Sequence, residues 1–343
     1  VRCIYPRTVG YQSDGQTLAW SEKKYSKEYP TFQLPCGKCL ECRLEYARST
    51  AIRCVHEAKM YDQNTFLTLT YKDERLESPK LIYEHIQTFI KDLRSKRLND
   101  HLKALGMKRD EYQALDTKTR QELYKPIMMP IMTTGEYGEE KKRPHWHLLI
   151  FNWRPEDAQY LRTNELGDKL YKSKWVDEQW GRNDPEQKPN EIGDITFRSA
   201  GYVARYATKK LVHGNDQDHN YHPIHRRSSR NAIGKRFLEK YWKDIFNHGR
   251  CILSDGQSCP IPRYYEKWLQ KQKPEEWVKY LINVKYPKTE KAEEKEKKEQ
   301  QQYKENYEKR SVAQGAEITK NQIRKKLIEE RTKRLQQHQK GDI

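Results

Sequence analysis

No apolar run in this chain approaches the roughly 18 residues that a membrane-spanning helix requires; the longest are residues 66–69 and 148–151. The start Val1-Arg2-Cys3 carries no secretory hydrophobic region, so a soluble, cytoplasmic protein is expected. Internal repeats and Gly/Ser linkers are absent too, and hydrophobic residues make up only 35% of the 343. That supply fills one sizeable core and not two, which predicts a single domain with polar appendages. An ATP-binding phosphate loop is also missing, since Gly234-Lys235 is followed by Arg236 and has no glycine five residues upstream. Seven cysteines, an odd number, argue against a secreted disulfide framework and for thiols in a reducing compartment.

What is abundant is positive charge. Lys and Arg number 67 against 49 Asp and Glu, a formal charge of +18, which points to polyanionic partners. The 23 Tyr and 8 Trp in this basic background suit base stacking, although Tyr equally suits half-buried strands.

Along the chain, Leu40, Leu44, Ala47, Ala51, Cys54, Val55 and Ala58 recur at steps of three and four and predict a helix over 39–61. Phe66-Leu67-Thr68-Leu69-Thr70-Tyr71 alternates in polarity as a half-buried strand does, and 83–98 reads as a helix. Residues 99–125 lack an apolar stripe and are expected to form an insertion. The apolar run 126–132 leads through Gly135-Glu136 to a turn at Gly138, with 145–152 as the returning strand. After a polar stretch at 153–190, a short strand at 194–197 and a helix at 199–211 are expected. Residues 212–262 read as mostly irregular and 264–286 as a helix. Residues 288–343 are dominated by Lys, Glu, Gln and Arg and form an exposed helical or disordered tail, either a solvated charge run or an arm for DNA or a partner.

Two motifs carry chemistry. In Arg143-Pro144-His145-Trp146-His147, strand alternation sends both imidazoles to one face and Trp146 to the other. With Glu136 on the preceding strand they make a two-His, one-carboxylate set that can hold a metal and leave positions open for a phosphate oxygen. The alternative is a structural histidine pair hydrogen-bonded within a sheet. In residues 202–209, Tyr202 and Tyr206 stand one helical turn apart on one face, with Lys209 three residues further on. An unperturbed tyrosine titrates near pH 10, so a nucleophilic role needs a cation and a polarised phosphorus nearby. Packing alone also explains such a pair.

In this order, residues 66–71, Gly135-Glu136-Tyr137-Gly138 with the His145-Trp146-His147 strand, and the 202–209 helix resemble the three motifs of the HUH endonucleases that initiate rolling-circle replication. The resemblance is greatest to the replication initiators of microviruses of the gokushovirus group. Cys36-Gly37-Lys38-Cys39-Leu40-Glu41-Cys42-Arg43, Ile233-Gly234-Lys235 and Pro262-Arg263-Tyr264-Tyr265 extend it over about residues 1–270. It implies an α+β HUH endonuclease fold, a central antiparallel sheet of about five strands flanked by helices, with a Cys-rich N-terminal extension and a charged C-terminal tail. It further implies that His145, His147 and Glu136 bind Mg²⁺ or Mn²⁺ and that Tyr202 and Tyr206 are paired nucleophiles. They would nick the viral origin through a 5′-phosphotyrosine, leave a 3′-hydroxyl primer, and rejoin the displaced strand into a circle. Ala207 departs from the bulkier residue usual after the second tyrosine. Partners would be single-stranded and supercoiled viral DNA, a polymerase and, given the missing phosphate loop, a helicase of the bacterial host in whose cytoplasm the protein would act.

Cys36, Cys39 and Cys42, spaced C-x2-C-x2-C, with Cys3 as a distant fourth, can form a structural zinc site; free thiols are the alternative. An iron–sulfur cluster is disfavoured because Tyr46 stands where a fourth Cys is needed. Cys251 and Cys259 are a looser pair, and Cys54 reads as core. The expected organisation is a Cys-rich segment and helix at 1–62, a nuclease core at 63–212, an extension at 213–287 and the tail at 288–343. Two competing functions are a non-catalytic, zinc-containing single-strand-binding protein, which has no need of the tyrosine pair, and an HUH transposase or relaxase.

Overall fold

The computed structural model describes residues 3, 5–15, 17–138, 142–209, 224–228, 232–253, 256–311, 325, 326 and 330. In chain order it comprises β1 (Arg7–Tyr11), β2 (Leu18–Ala19), β3 (Phe32–Leu34), α1 (Leu40–Ala58), β4 (Asn64–Leu69), α2 (Tyr83–Ala104), α3 (Arg109–Ala114), α4 (Thr117–Tyr124), β5 (Ile131–Tyr137) and β6 (Pro144–Phe151). Next come β7 (Gln159–Thr163), β8 (Lys169–Lys172), α5 (Lys174–Trp180), β9 (Glu191–Gly193), α6 (Phe197–Lys209), β10 (Ile224–Arg227), α7 (Lys235–His248), β11 (Cys251–Ile252), β12 (Ser258–Cys259), α8 (Arg263–Gln272), α9 (Pro274–Tyr280) and α10 (Tyr286–Ser311). The chain divides into two compact units, one of residues 1–46, 247–249 and 269–343, the other of 47–246 and 250–268.

The larger unit is built on an antiparallel sheet ordered β10-β5-β6-β4-β9-β8-β7, seven strands where about five were expected. The α+β class and the helix-flanked antiparallel sheet are as expected. The surplus is the β7–β8 hairpin within 153–190. Its β7 strand has no buried face, so no alternation marks it in the sequence. The central strands β4, β6 and β5 pair in the register Thr68 with His147 with Thr134. Because paired residues project to the same side, the sheet has two unlike faces. On one face Leu67, Leu69, Trp146, Leu148, Ile150 and Ile192 form the main core with Ile86, Phe89 and Leu93 of α2. On the other, Met132, Leu149 and Phe151 pack with Ala51 and Cys54 of α1 and with Ala200 and Val203 of α6.

Several expected boundaries are corrected. Helix α2 runs past residue 98 to Ala104, because Leu98 and Leu102 extend its buried stripe onto Ile127. The supposed insertion at 99–125 also contains α3 and α4, the latter started by Asp116, whose carboxylate accepts from the Lys118 and Thr119 amides. The strand expected at 194–197 lies at Glu191–Gly193, where it pairs with Thr68–Phe66. Residues 194–196 instead begin α6: the Ser199 amide donates to Thr196 Oγ1 (3.1 Å) and the Thr196 amide to Ser199 Oγ (2.9 Å), a reciprocal cap. The region 212–262 is not mostly irregular, since β10 and the 14-residue α7, anchored by buried Leu238, Ile245 and Phe246, lie within it. Residues 264–286 form α8 and α9 in place of one helix, interrupted at Lys273 (φ −144°, ψ 65°) ahead of Pro274, which cannot sit inside a continuous helix. Of the tail, 286–311 is helical and largely exposed, and most of residues 312–343 lie outside the described residues.

Gly135, in the middle of β5, faces the main core. A Cβ there would sit 2.7 Å from the Trp146 ring and 2.8 Å from Leu81. Gly135→Ala should therefore overpack the core and cost about 1–3 kcal/mol in urea denaturation; an unchanged midpoint would mean that Trp146 and Leu81 can shift aside.

Candidate metal and nucleophile site

The β5–β6 hairpin register places Glu136 opposite His145, and strand alternation brings His147 to the same face. Trp146 goes to the other face, fully buried, its indole N–H donating to Tyr71 Oη at 3.0 Å. Glu136 Oε1 lies 2.7 Å from His145 Nε2 and 2.8 Å from His147 Nε2, and accepts from the Tyr202 hydroxyl at 3.0 Å. Both Glu136 and His147 are buried, while His145 keeps a fifth of its side chain exposed, so the site opens to solvent on the His145 side.

Neighbours orient each ring. His147 Nδ1 lies 3.1 Å from Thr68 Oγ1, and the ring stacks on Phe66 (centroids 5.7 Å apart). His145 Nδ1 lies 3.2 Å from the Arg143 carbonyl oxygen. A carbonyl can only accept, so that nitrogen carries the proton, and in a neutral ring Nε2 then presents its lone pair to Glu136 Oε1. Two lone pairs 2.7 Å apart repel unless a cation, a proton or a metal ion, mediates between them. Glu136 Oε2 is buried with no hydrogen-bond partner among the described residues. Burial raises the Glu136 pKa, but hydrogen bonds from His145 and His147 outweigh it and leave the carboxyl below its ordinary value. Burial lowers that of His147, with Glu136 opposing only in part, so this imidazole stays neutral at pH 7. An anionic carboxylate and two imidazole nitrogens, all within 4.8 Å, form a set that could hold a divalent metal.

Tyr202 reaches this set because α6 lies on the sheet through Ala200, Val203 and Ala204, all fully buried. Tyr206 and Lys209 belong to the same helix, four and seven residues further on, but their side chains lie outside the described residues. The sequence pattern picks out all three residues around Glu136 Oε1 and misses those that orient them. Thr68 and the Arg143 carbonyl are found only from the strand register. His225 on β10, whose Nδ1 lies 2.8 Å from Thr134 Oγ1, goes unseen with its strand.

The smaller unit holds a second cluster. Cys3, Cys36, Cys39 and Cys42 offer four sulfurs within 4.8 Å of one another, with Sγ–Sγ distances of 3.7 Å for Cys3–Cys39 and 4.0 Å for Cys36–Cys42. A tetrahedron with metal–sulfur bonds of about 2.3 Å has edges of about 3.8 Å, so the spacing fits a four-thiolate metal site. Backbone amides of Cys39 (3.3 Å) and Lys38 (3.4 Å) point at Cys36 Sγ. Burial raises that thiol, yet these N–H groups prevail and bring it to about 6, while burial pushes Cys3 and Cys42 upward. Cys251 and Cys259 face each other across β11 and β12 as free thiols, and Cys54 is core. Among the described residues, no helix is long and apolar enough to cross a membrane.

Comparison with known proteins agrees with this geometry. The family model for replication-associated protein ORF2 matches residues 64–211, which include both motifs of the larger unit. The chain is 45% identical over 293 residues to replication-associated protein VP4 of Bdellovibrio phage phiMH2K, covering 85% of each chain. It is 29% identical over 247 residues to replication-associated protein ORF4 of Chlamydia phage 1, covering 70% of this chain and 54% of that one. With replication-associated protein ORF2 of Spiroplasma virus 4 the figures are 27% over 267 residues, 75% and 74%. No solved structure matches. Similarity over most of its length, together with the matched motifs, identifies this chain as a member of the replication-associated protein family of small phages.

Proposed function

We propose that this protein initiates replication of a phage genome by nicking one DNA strand through a phosphotyrosine and later rejoining it. The observation that carries this reading is the convergence of the Tyr202 hydroxyl, His145 and His147 on one oxygen of Glu136. A pure binding protein has no use for a phenol held against a buried two-histidine, one-carboxylate set.

Glu136, His145 and His147 would hold the divalent ion, Mg²⁺ or Mn²⁺. Bound there, the ion supplies Lewis-acid polarisation of the scissile phosphate and offsets charge on the attacking oxygen. Tyr202 is the first nucleophile and Tyr206, one turn further along α6, the second. In each cleavage the phenolic oxygen forms a bond to phosphorus as the P–O3′ bond breaks. The phenol gives up its proton and the departing oxygen gains one, leaving a 3′-hydroxyl that primes synthesis. Attack of a later 3′-hydroxyl on the tyrosyl ester reverses the exchange and closes a circle without ATP. Thr68 and the Arg143 carbonyl hold the imidazoles in place, and Lys209 adds positive charge beside the tyrosines. Residues 63–212 form the nuclease core in this scheme, with 1–62 and 213–287 as its extensions and 288–343 as a tail. The four cysteines bind structural zinc. Strand separation and synthesis fall to a host helicase and polymerase, in the host cytoplasm.

With a labelled single-stranded origin oligonucleotide and Mn²⁺, wild-type protein should form a covalent adduct visible on a denaturing gel. His147→Ala should form none while keeping most DNA affinity, which rests on phosphate contacts; nicking at the wild-type rate would remove His147 from the ligand set. Phenylalanine keeps the ring and removes only the nucleophile, so Tyr202→Phe and Tyr206→Phe should each retain single-round adduct and fail to complete a circle, and the double variant should form no adduct. If one single variant loses all adduct and the other completes circles normally, the enzyme uses one tyrosine. For the cysteines, elemental analysis should find about one zinc per chain, and chelation should lower the melting temperature. Protein purified without chelator and free of zinc would return the cluster to four free thiols.

A further inference from the structure

Helices α2 and α4, strand β10 and the start of α7 enclose two adjoining cavities of 1170 and 520 Å³ that share Arg94, Tyr124, Arg227 and Ser228 in their walls. Shared walls make them one groove, running along the sheet edge that β10 forms beyond β5. Its charge is lopsided. Arg94, Arg120, Arg226 and Arg227 line it, and among the described residues none of these four forms an ion pair with a carboxylate. The acidic groups on its walls are engaged elsewhere: Glu239 with Lys235 (3.3 Å), Glu122 with Lys125 (3.8 Å), and Glu57 as acceptor of the Gly234 amide. Aromatic rings lie beside the cations, with Arg226 over the Tyr83 ring at 5.7 Å and half-buried Tyr124 in both cavities. Guanidinium groups with interleaved tyrosines form a surface that takes phosphates and stacks bases.

Position links this groove to the chemistry. His225, the residue before Arg226, stands in register beside Thr134, and Thr134 beside His147. Two strand spacings, roughly 10 Å, thus separate the β10 edge from the candidate metal ligand. The smaller cavity reaches Ile131 and Thr133, whose side chains lie on the face of the sheet opposite to His147.

We propose that this groove binds single-stranded DNA by its phosphates and leads the strand from the histidine site over the β10 edge to the opposite face of the sheet. The path, though not the binding itself, rests on the nuclease reading above.

The test measures binding of fluorescein-labelled (dT)20 by anisotropy without divalent ions, so no cleavage is involved, across a salt series. The variant Arg94→Ala/Arg120→Ala/Arg226→Ala/Arg227→Ala should bind about 10-fold or more weakly. The slope of log affinity against log salt should fall by about 2–3, since each phosphate contact to a single strand contributes about 0.7. A control with the same loss of charge at exposed lysines outside the groove, Lys103→Ala/Lys169→Ala/Lys172→Ala/Lys188→Ala, should change the slope little. Replacing the four arginines by lysine should keep the slope. Photo-crosslinking of a bromodeoxyuridine strand to wild-type protein needs no variant to fold, and should map to α4 or β10. Wild-type affinity and slope in the alanine variant, an equal loss in the lysine control, or crosslinks absent from both elements would overturn the proposal. Tighter, groove-dependent binding of duplex would overturn the single-strand assignment. His147→Ala should bind here as wild type does, so an inactive nuclease and an empty groove give different results.

Discussion

A buried carboxylate at Glu136 is the constraint around which the larger unit is arranged. Removing a charged group from water is costly unless other groups replace its hydration, and here three side chains from two elements do so at a single oxygen. Meeting that demand requires β5 and β6 to pair in one register and α6 to lie against the sheet at one rotation. A slip of one residue in the hairpin would turn both imidazoles into the main core and Trp146 to the chemical face. Packing and site geometry are therefore specified by the same pairing.

The division of labour between the two faces has the same origin. The core face is filled by large side chains, with Gly135 leaving room for the Trp146 ring. The other face carries a row of polar groups, Thr68, His147, Thr134 and His225, crossing four strands in register. Smaller residues of α1 and α6 cover the remainder, so that α6 comes near enough for Tyr202 to reach the carboxylate. Its reciprocal cap at Thr196 and Ser199 sets where the helix begins, and hence which residue faces Glu136.

The smaller unit solves a different problem. Its strands β1, β2 and β3 are only two to five residues long, and few of their side chains are buried. So little apolar burial calls for a staple, and four sulfurs at tetrahedral spacing, joining the chain near its start to the beginning of α1, are placed to provide one.

The sequence by itself determined the α+β class, the central strands and α1, because alternation and helical stripes survive wherever one face of an element is buried. It also determined the chemical types at the site, since His-x-His on a strand and Tyr-x3-Tyr on a helix leave little freedom as to which face their side chains share. What it did not carry were elements with no buried face or with several short stripes: the β7–β8 hairpin, α3 and α4, β10 and α7. Tertiary structure alone decided that Thr68 and the Arg143 carbonyl orient the two histidines, that His225 joins their row, and that arginines from α2, α4 and β10 meet at one sheet edge. Such groups lie up to 133 residues apart in the chain, as Arg94 and Arg227 do, and only strand register and helix packing convert that separation into contact.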